Sequence, residues 1–141
     1  MTIHDFDMVR FYLGNDEIKE IFATASNISS KKFNDIKDYV LATCVLKSKT
    51  GVICTINNSR HYKYGYDQRI EVFGTKGCLI SENKKKYNFF IDRYKTAYKL
   101  QLQDLVNLAN KNKKPRASFI DGEKALLPVS YTHLTLPTTR H

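Results

Sequence analysis

Much is missing from this chain of 141 residues. No apolar run approaches the ~20 residues that a helix needs to span a membrane. Thr2, His4, Asp5 and Asp7 interrupt any signal-like stretch at the start. No Cys-x-x-Cys or His-x-x-x-His spacing suggests a metal centre, and His4, His61, His133 and His141 are scattered. There is no internal repeat and no low-complexity linker. Acidic residues are also short, with 14 Asp and Glu against 23 Lys and Arg, for a net charge of +9.

That balance admits a nucleic-acid partner. The lysines, however, fall in turn-like clusters at Lys31-Lys32, Lys84-Lys85-Lys86 and Lys113-Lys114, with no stripe of stacking aromatics between them. They read as a solvated surface, so no nucleic-acid and no membrane partner is expected. Cys44, Cys54 and Cys78 are odd in number and sit in apolar, strand-like runs. They read as reduced core thiols of a cytoplasmic protein. The hydrophobic fraction of 42% excludes compositional disorder, and the length allows one domain with a modest core.

The pattern predicts a helix over Thr2 to Leu13, with Phe6, Val9 and Leu13 on one face, Thr2 and Asp5 at capping-box spacing, and Gly14 as its stop. Strands follow at 17–25, 38–47 and 52–57, with 27–37 as a polar loop. In the second strand Val40, Ala42, Cys44 and Leu46 alternate with Leu41 and Val45. Further strands are expected at 68–73, 78–81 and 87–92, then a helix from Tyr94 to Asn110 striped by Tyr98, Leu102, Leu105 and Ala109. Gly74-Thr75-Lys76-Gly77 reads as a tight turn, not as a phosphate cradle, and Asp121-Gly122 reads as a helix start. The order of elements predicts an α+β domain, with a mainly antiparallel open sheet and helices on one face.

Two segments carry more than pattern. Ile3-His4-Asp5-Phe6-Asp7 and the run from Asn58-Ser59-Arg60 through Tyr64-Gly65-Tyr66-Asp67-Gln68-Arg69 to Glu71-Val72-Phe73-Gly74-Thr75-Lys76-Gly77 resemble the C-terminal domain of inositol-oxidising members of the Gfo/Idh/MocA family. These are two-domain NAD(P)-dependent oxidoreductases of sugars and polyols. The resemblance covers residues 2 to 127, and Gln101-Leu102 departs from the family's usual Glu at that point. It implies a substrate-binding and oligomerisation domain whose Rossmann partner lies outside this sequence. The parent would use NAD to oxidise a CH–OH of myo-inositol or a related polyol, as a homo-oligomer, and this piece alone would be inactive.

The resemblance also assigns roles. Oxidising a secondary alcohol needs a base for the hydroxyl proton, and an imidazole with an ordinary pKa of ~6.5 suits that near neutral pH. The family's Asp-x-x-x-His motif supplies the base, and its His falls on His4; its Asp would fall just before Met1. The second tyrosine of Tyr-Gly-Tyr-Asp falls on Tyr66, which would bind the polyol through its phenol and ring; an aromatic packed on the sheet fits it equally. Gly65 would serve a conformation open only to glycine, Asp67 and Arg69 would pair across strands, and Asp7 would favour the helix N-terminus.

The end of the chain reads differently. Val129 to Thr138 matches the translation of a transposase sequencing adaptor, so 1–127 is taken as the domain and 128–141 as foreign to it, against a native β-rich tail. Two alternatives remain for the whole: a non-catalytic relative kept for assembly or ligand binding, and a small basic nucleic-acid-binding protein.

Overall fold

The computed structural model describes residues 2–28, 32–36, 38–111 and 114–135. The elements run α1 (Ile3–Leu13), β1 (Ile18–Ser26), α2 (Lys32–Asp35), β2 (Leu41–Ser48), β3 (Ile53–Ser59), β4 (Ile70–Gly74), β5 (Gly77–Ser81), α3 (Phe90–Lys111) and α4 (Phe119–Thr135). They divide into two compact units: Met1–Arg60 with Ala117–His141, and His61–Arg116.

The first unit is an antiparallel sheet in the order β1-β2-β3, backed by α1 and α4. Registers Ala23↔Cys44 and Cys44↔Ile56 put small and branched apolar side chains on one face. Phe6 drops onto that face and is fully buried, with Ala23, Cys44, Leu46 and Ile56 around it and Val9, Ile21, Cys54 and Val129 packed against them. Leu41 and Val45 point the other way and are exposed, so the alternation expected of β2 holds. Gly14 ends α1 with φ +62°, donating its N–H to the Arg10 carbonyl at 2.9 Å.

Arg60 closes the entry to β2. It pairs with Asp38, donates to the Tyr39 carbonyl at 3.1 Å, and its guanidinium lies over the Phe33 ring at 5.3 Å. The side chain of Asn27 clamps the same segment from the other side. It donates to the Asp38 carbonyl and accepts from the Val40 N–H.

The second unit is the hairpin β4-β5 with α3. Gly74↔Gly77 closes the hairpin around Thr75 and Lys76. Ile70 and Val72 share the half-buried face of β4, as their spacing requires.

Several expectations are corrected. Thr2 does not cap α1: its backbone is already helical, at φ −72° and ψ −14°, and its hydroxyl makes no cap bond. The loop expected over 27–37 contains the single turn α2; residues 29–31 and 37 lie outside the described residues. The strand expected at 87–92 is not formed. Tyr87 makes one isolated antiparallel bridge to Tyr66, and Phe90 already belongs to α3, which starts four residues before the expected Tyr94. A short run of aromatics fits strand and helix alike, and the helix claims it. The stripe Tyr98, Leu102, Leu105 and Ala109 is present on α3 but exposed. Last, α4 continues past Leu127 through Pro128 to Thr135, which excludes a β-rich continuation over that range; 136–141 lie outside the described residues.

Candidate functional site

His4 is the second residue of α1, and its side chain is exposed. The reason is helical phase. At ~100° per residue, His4 lies about 100° from Asp5 and about 160° from Phe6 around the axis. Burying Phe6 therefore turns His4 outward and leaves Asp5 between them, half-buried. Asp7, one turn beyond His4, is engaged by Arg10, which donates to its Oδ1 at 3.1 Å. Asp7 thus holds Arg10, one turn further along α1.

α1 is fixed at both ends. Arg10 also donates to the Asp121 carbonyl at 2.9 Å and lies 3.7 Å from its carboxylate, joining α1 to the first turn of α4. Near the start, Asn58 of β3 donates from Nδ2 to Asp5 Oδ2 at 2.9 Å. The Asp5 carboxylate also bears on Cys44: burial first, then this charge, pushes the Cys44 thiol up. Burial likewise raises Cys54. Cys78, read as a core thiol, is exposed on β5.

Tyr66 lies in the second unit and is half-buried. Its N–H donates to the Tyr87 carbonyl at 2.7 Å, and its own carbonyl accepts from Asn83 Nδ2 at 2.7 Å. Asn83 is held in turn by Arg93, whose Nε donates to its Oδ1 at 2.9 Å. The Tyr66 ring meets Tyr94 edge-on at 6.0 Å, and the two phenols are 3.5 Å apart. Gly65 supplies the turn that makes this possible. It sits at φ +101°, and a Cβ there would fall 2.2 Å from the Tyr87 carbonyl oxygen.

Asp67 and Arg69 do pair, at 2.7–2.9 Å. They do so within one loop, two residues apart, and not across strands. Arg69 further reaches the Tyr62 phenol at 3.5 Å. These groups, with Tyr64, Glu82, Lys85 and Lys86, line an open pocket of about 310 Å³ beside Tyr66. Aromatic faces next to a carboxylate, ammonium groups and phenols can seat a polyol, whose C–H face packs on a ring while its hydroxyls hydrogen-bond.

His4 and Tyr66 thus belong to different units of the chain. Sequence reasoning missed Asn58, Asn83 and Tyr94 as supports. Asn58 was legible only as part of Asn-Ser-Arg, and nothing in the spacing joins Tyr94 to Tyr66. Among the described residues, no group of three or more His, Cys, Asp or Glu could hold a metal ion, and no helix is long and apolar enough to cross a membrane. Gly74 and Gly77 close a hairpin between antiparallel strands, which is not the strand-to-helix turn that cradles a dinucleotide phosphate.

Comparisons with known proteins fall on the same regions. A model of the GFO/IDH/MocA C-terminal domain matches residues 1–80, which include both His4 and Tyr66. The myo-inositol 2-dehydrogenase of Thermotoga maritima is 36% identical over 143 residues, covering 90% of this chain and 42% of the relative. The scyllo-inositol 2-dehydrogenase (NAD(+)) of Bacillus subtilis is 26% identical, covering 86% and 40%. The crystal structure of a myo-inositol dehydrogenase from Corynebacterium glutamicum superimposes with a TM-score of 0.90 at 34% identity, over 99% of this chain and 46% of that one. The chain spans less than half the length of these relatives.

Proposed function

Because the chain belongs to the GFO/IDH/MocA family through its C-terminal domain, we propose that residues 1–127 are the substrate-binding and assembly domain of an NAD-dependent dehydrogenase. Its reaction converts one CH–OH of myo-inositol or a related polyol to a ketone. The observation that carries this reading is the 36% identity to a myo-inositol 2-dehydrogenase across 90% of the chain.

In that reaction the substrate loses a hydride from carbon and a proton from oxygen. His4 takes the proton. Its exposure and its place in the first turn of a helix anchored to the sheet suit a base that must reach a ligand. Tyr66 packs its ring on the polyol and offers its phenol to a hydroxyl, braced by Tyr94 and Asn83. Acceptance of the hydride belongs to a dinucleotide-binding half outside these residues. The exposed apolar side chains on the otherwise polar outer face of the sheet, Phe22 paired to Val45 and Ile53 paired to Lys47, support assembly with further copies. Three free cysteines suit a reducing cytoplasm. Residues 128–141 remain, on this reading, adaptor-derived.

Sequencing the source DNA beyond both ends of the frame tests this. An Asp codon directly before Met1, preceded by a Gly-rich strand–turn–helix, is expected, with adaptor sequence after Leu127. A stop codon just upstream would remove His4 as a base. The purified chain mixed with NAD and myo-inositol should form no NADH; steady NADH formation would overturn the reading that turnover needs the other half.

A further inference from the structure

Asn58 makes an uneconomical choice. Its Nδ2 donates to Asp5, while its Oδ1 is buried without a hydrogen-bond partner among the described residues. A buried acceptor left unmade carries the full desolvation penalty of the group, whereas an apolar side chain of similar shape at this point of β3 would carry none. Turning the amide over does not help, because it would set Oδ1 against the Asp5 carboxylate. The sheet already has its core in Phe6, Cys44, Leu46 and Ile56, and it gains little from this amide. What the amide does secure is the first turn of α1. The Asp5 and Phe6 N–H groups both bond the Thr2 carbonyl at 3.1 Å, and Thr2 provides no side-chain cap. The turn that carries His4 is therefore held by Phe6 below and by Asn58 at its side.

We infer that Asn58 is a positioning residue: through Asp5 it fixes the rotation of the first turn of α1, and so the direction in which the His4 imidazole leaves the helix. The inference rests on the reading of His4 as the base and deepens it. Asn58 itself touches no substrate. Its Nδ2 group and the Phe6 ring set the helix about its axis from two sides, and Arg10 sets the opposite end through Asp121.

The test uses the 141-residue chain and three variants: Asn58→Leu, Asn58→Asp, and the exchange Asp5→Asn with Asn58→Asp. Two signals are read by NMR: solvent exchange of the Asp5 and Phe6 amides, and relaxation of the His4 ring protons. Asn58→Leu should speed exchange of the two amides about tenfold and loosen the His4 ring. The Gly14 amide at the far end of α1 should stay unchanged, and the urea midpoint should not fall. Asn58→Asp alone, which sets two carboxylates together, should loosen the same turn. The exchange variant, which restores the bond with donor and acceptor reversed, should bring both signals back. A fall in the urea midpoint with equal loosening at both ends of α1 would make Asn58 a part of the fold only, and would overturn the inference. So would an unchanged His4 ring in Asn58→Leu, or an exchange variant that fails to recover. Failure of the base reading itself shows separately, in the upstream DNA.

Discussion

The two units of this chain are built on different terms. In Met1–Arg60 with Ala117–His141, Phe6, Leu46 and Val40 are wholly inside, and a sheet face and two helices close on Phe6 and Leu46. In His61–Arg116, no described residue is buried. The 22-residue α3 leaves Leu102 65% and Leu105 62% exposed, and Phe73 on β4 is 78% exposed. The first unit supplies its own core, whereas the second is held by directed bonds: the Asn83 and Tyr87 contacts to Tyr66, and the Asp67–Arg69 pair. The first turn of α1, with His4, therefore rests on the packing of Phe6 and one bond from Asn58, and Tyr66 rests on hydrogen bonds and glycine geometry.

The largest expected effect tests the packing side. Phe6→Ala removes the centre of the buried cluster and should cost about 3–5 kcal/mol, enough to unfold the first unit under mild denaturant. Leu105→Ala, an equally apolar deletion on α3, should change stability by less than about 0.5 kcal/mol, since the side chain already meets solvent. Urea titrations of both variants check this. Equal costs would mean that α3 is buried in solution and that the contrast between the units is wrong.

Gly65→Ala sharpens the other side. The residue must hold φ +101°, and its new methyl would press on the Tyr87 carbonyl oxygen. A cost of about 1–3 kcal/mol is expected, confined to the Tyr66–Tyr87 bridge. Chemical shifts of Tyr66 and Tyr94 should move while those of Phe6 and Leu46 stay. Movement at Phe6 would show that the second unit carries part of the first unit's core.

These contrasts bear on what could be read from the sequence. The alternation of β2 and the stripe of α1 were legible because one face of each is buried by the chain itself. The role of Gly65 was legible because the conformation it adopts excludes most other residues. The division into units was not: the basic run Lys113-Lys114-Pro115-Arg116 precedes Ala117, but no such change of composition marks Arg60. Capping shows the limit most clearly. Thr2-x-x-Asp5 and Ser118-x-x-Asp121 have the same spacing, yet only the second behaves as a cap: Asp121 Oδ2 accepts from the Ser118 N–H at 2.7 Å and from its hydroxyl at 2.8 Å. The carboxylate of Asp5 goes instead to Asn58, 53 positions away in sequence. Local spacing cannot reveal that a distant strand competes for the same group. For the same reason Tyr66 was legible as a motif tyrosine, but its partner Tyr94 was not.

The smallest effect is one of pH, and it falls on the first unit. Hydrogen bonds from Ser48 and then Thr50 hold the Asp16 carboxyl below its ordinary 3.8. Lys49 lowers Glu17 from its ordinary 4.5, and the Ser118 backbone and hydroxyl lower Asp121. Each group binds its proton more weakly folded than unfolded. The stability each adds is fully present above the unfolded values of 3.8 and 4.5, and it is lost as pH falls through the lower folded values. Glu17 is exposed and Asp16 and Asp121 are half-buried at the surface, so the loss is small and salt-sensitive. The urea midpoint of the first unit should hold between pH 7 and pH 5 and drop below about pH 4. Asp16→Asn, which keeps the size of the side chain but cannot titrate, should lower the midpoint at pH 7 and flatten its acid limb. A limb as steep as in the parent would mean that the turn joining β2 to β3 does not draw on Asp16, and that the packed core alone fixes this end of the sheet.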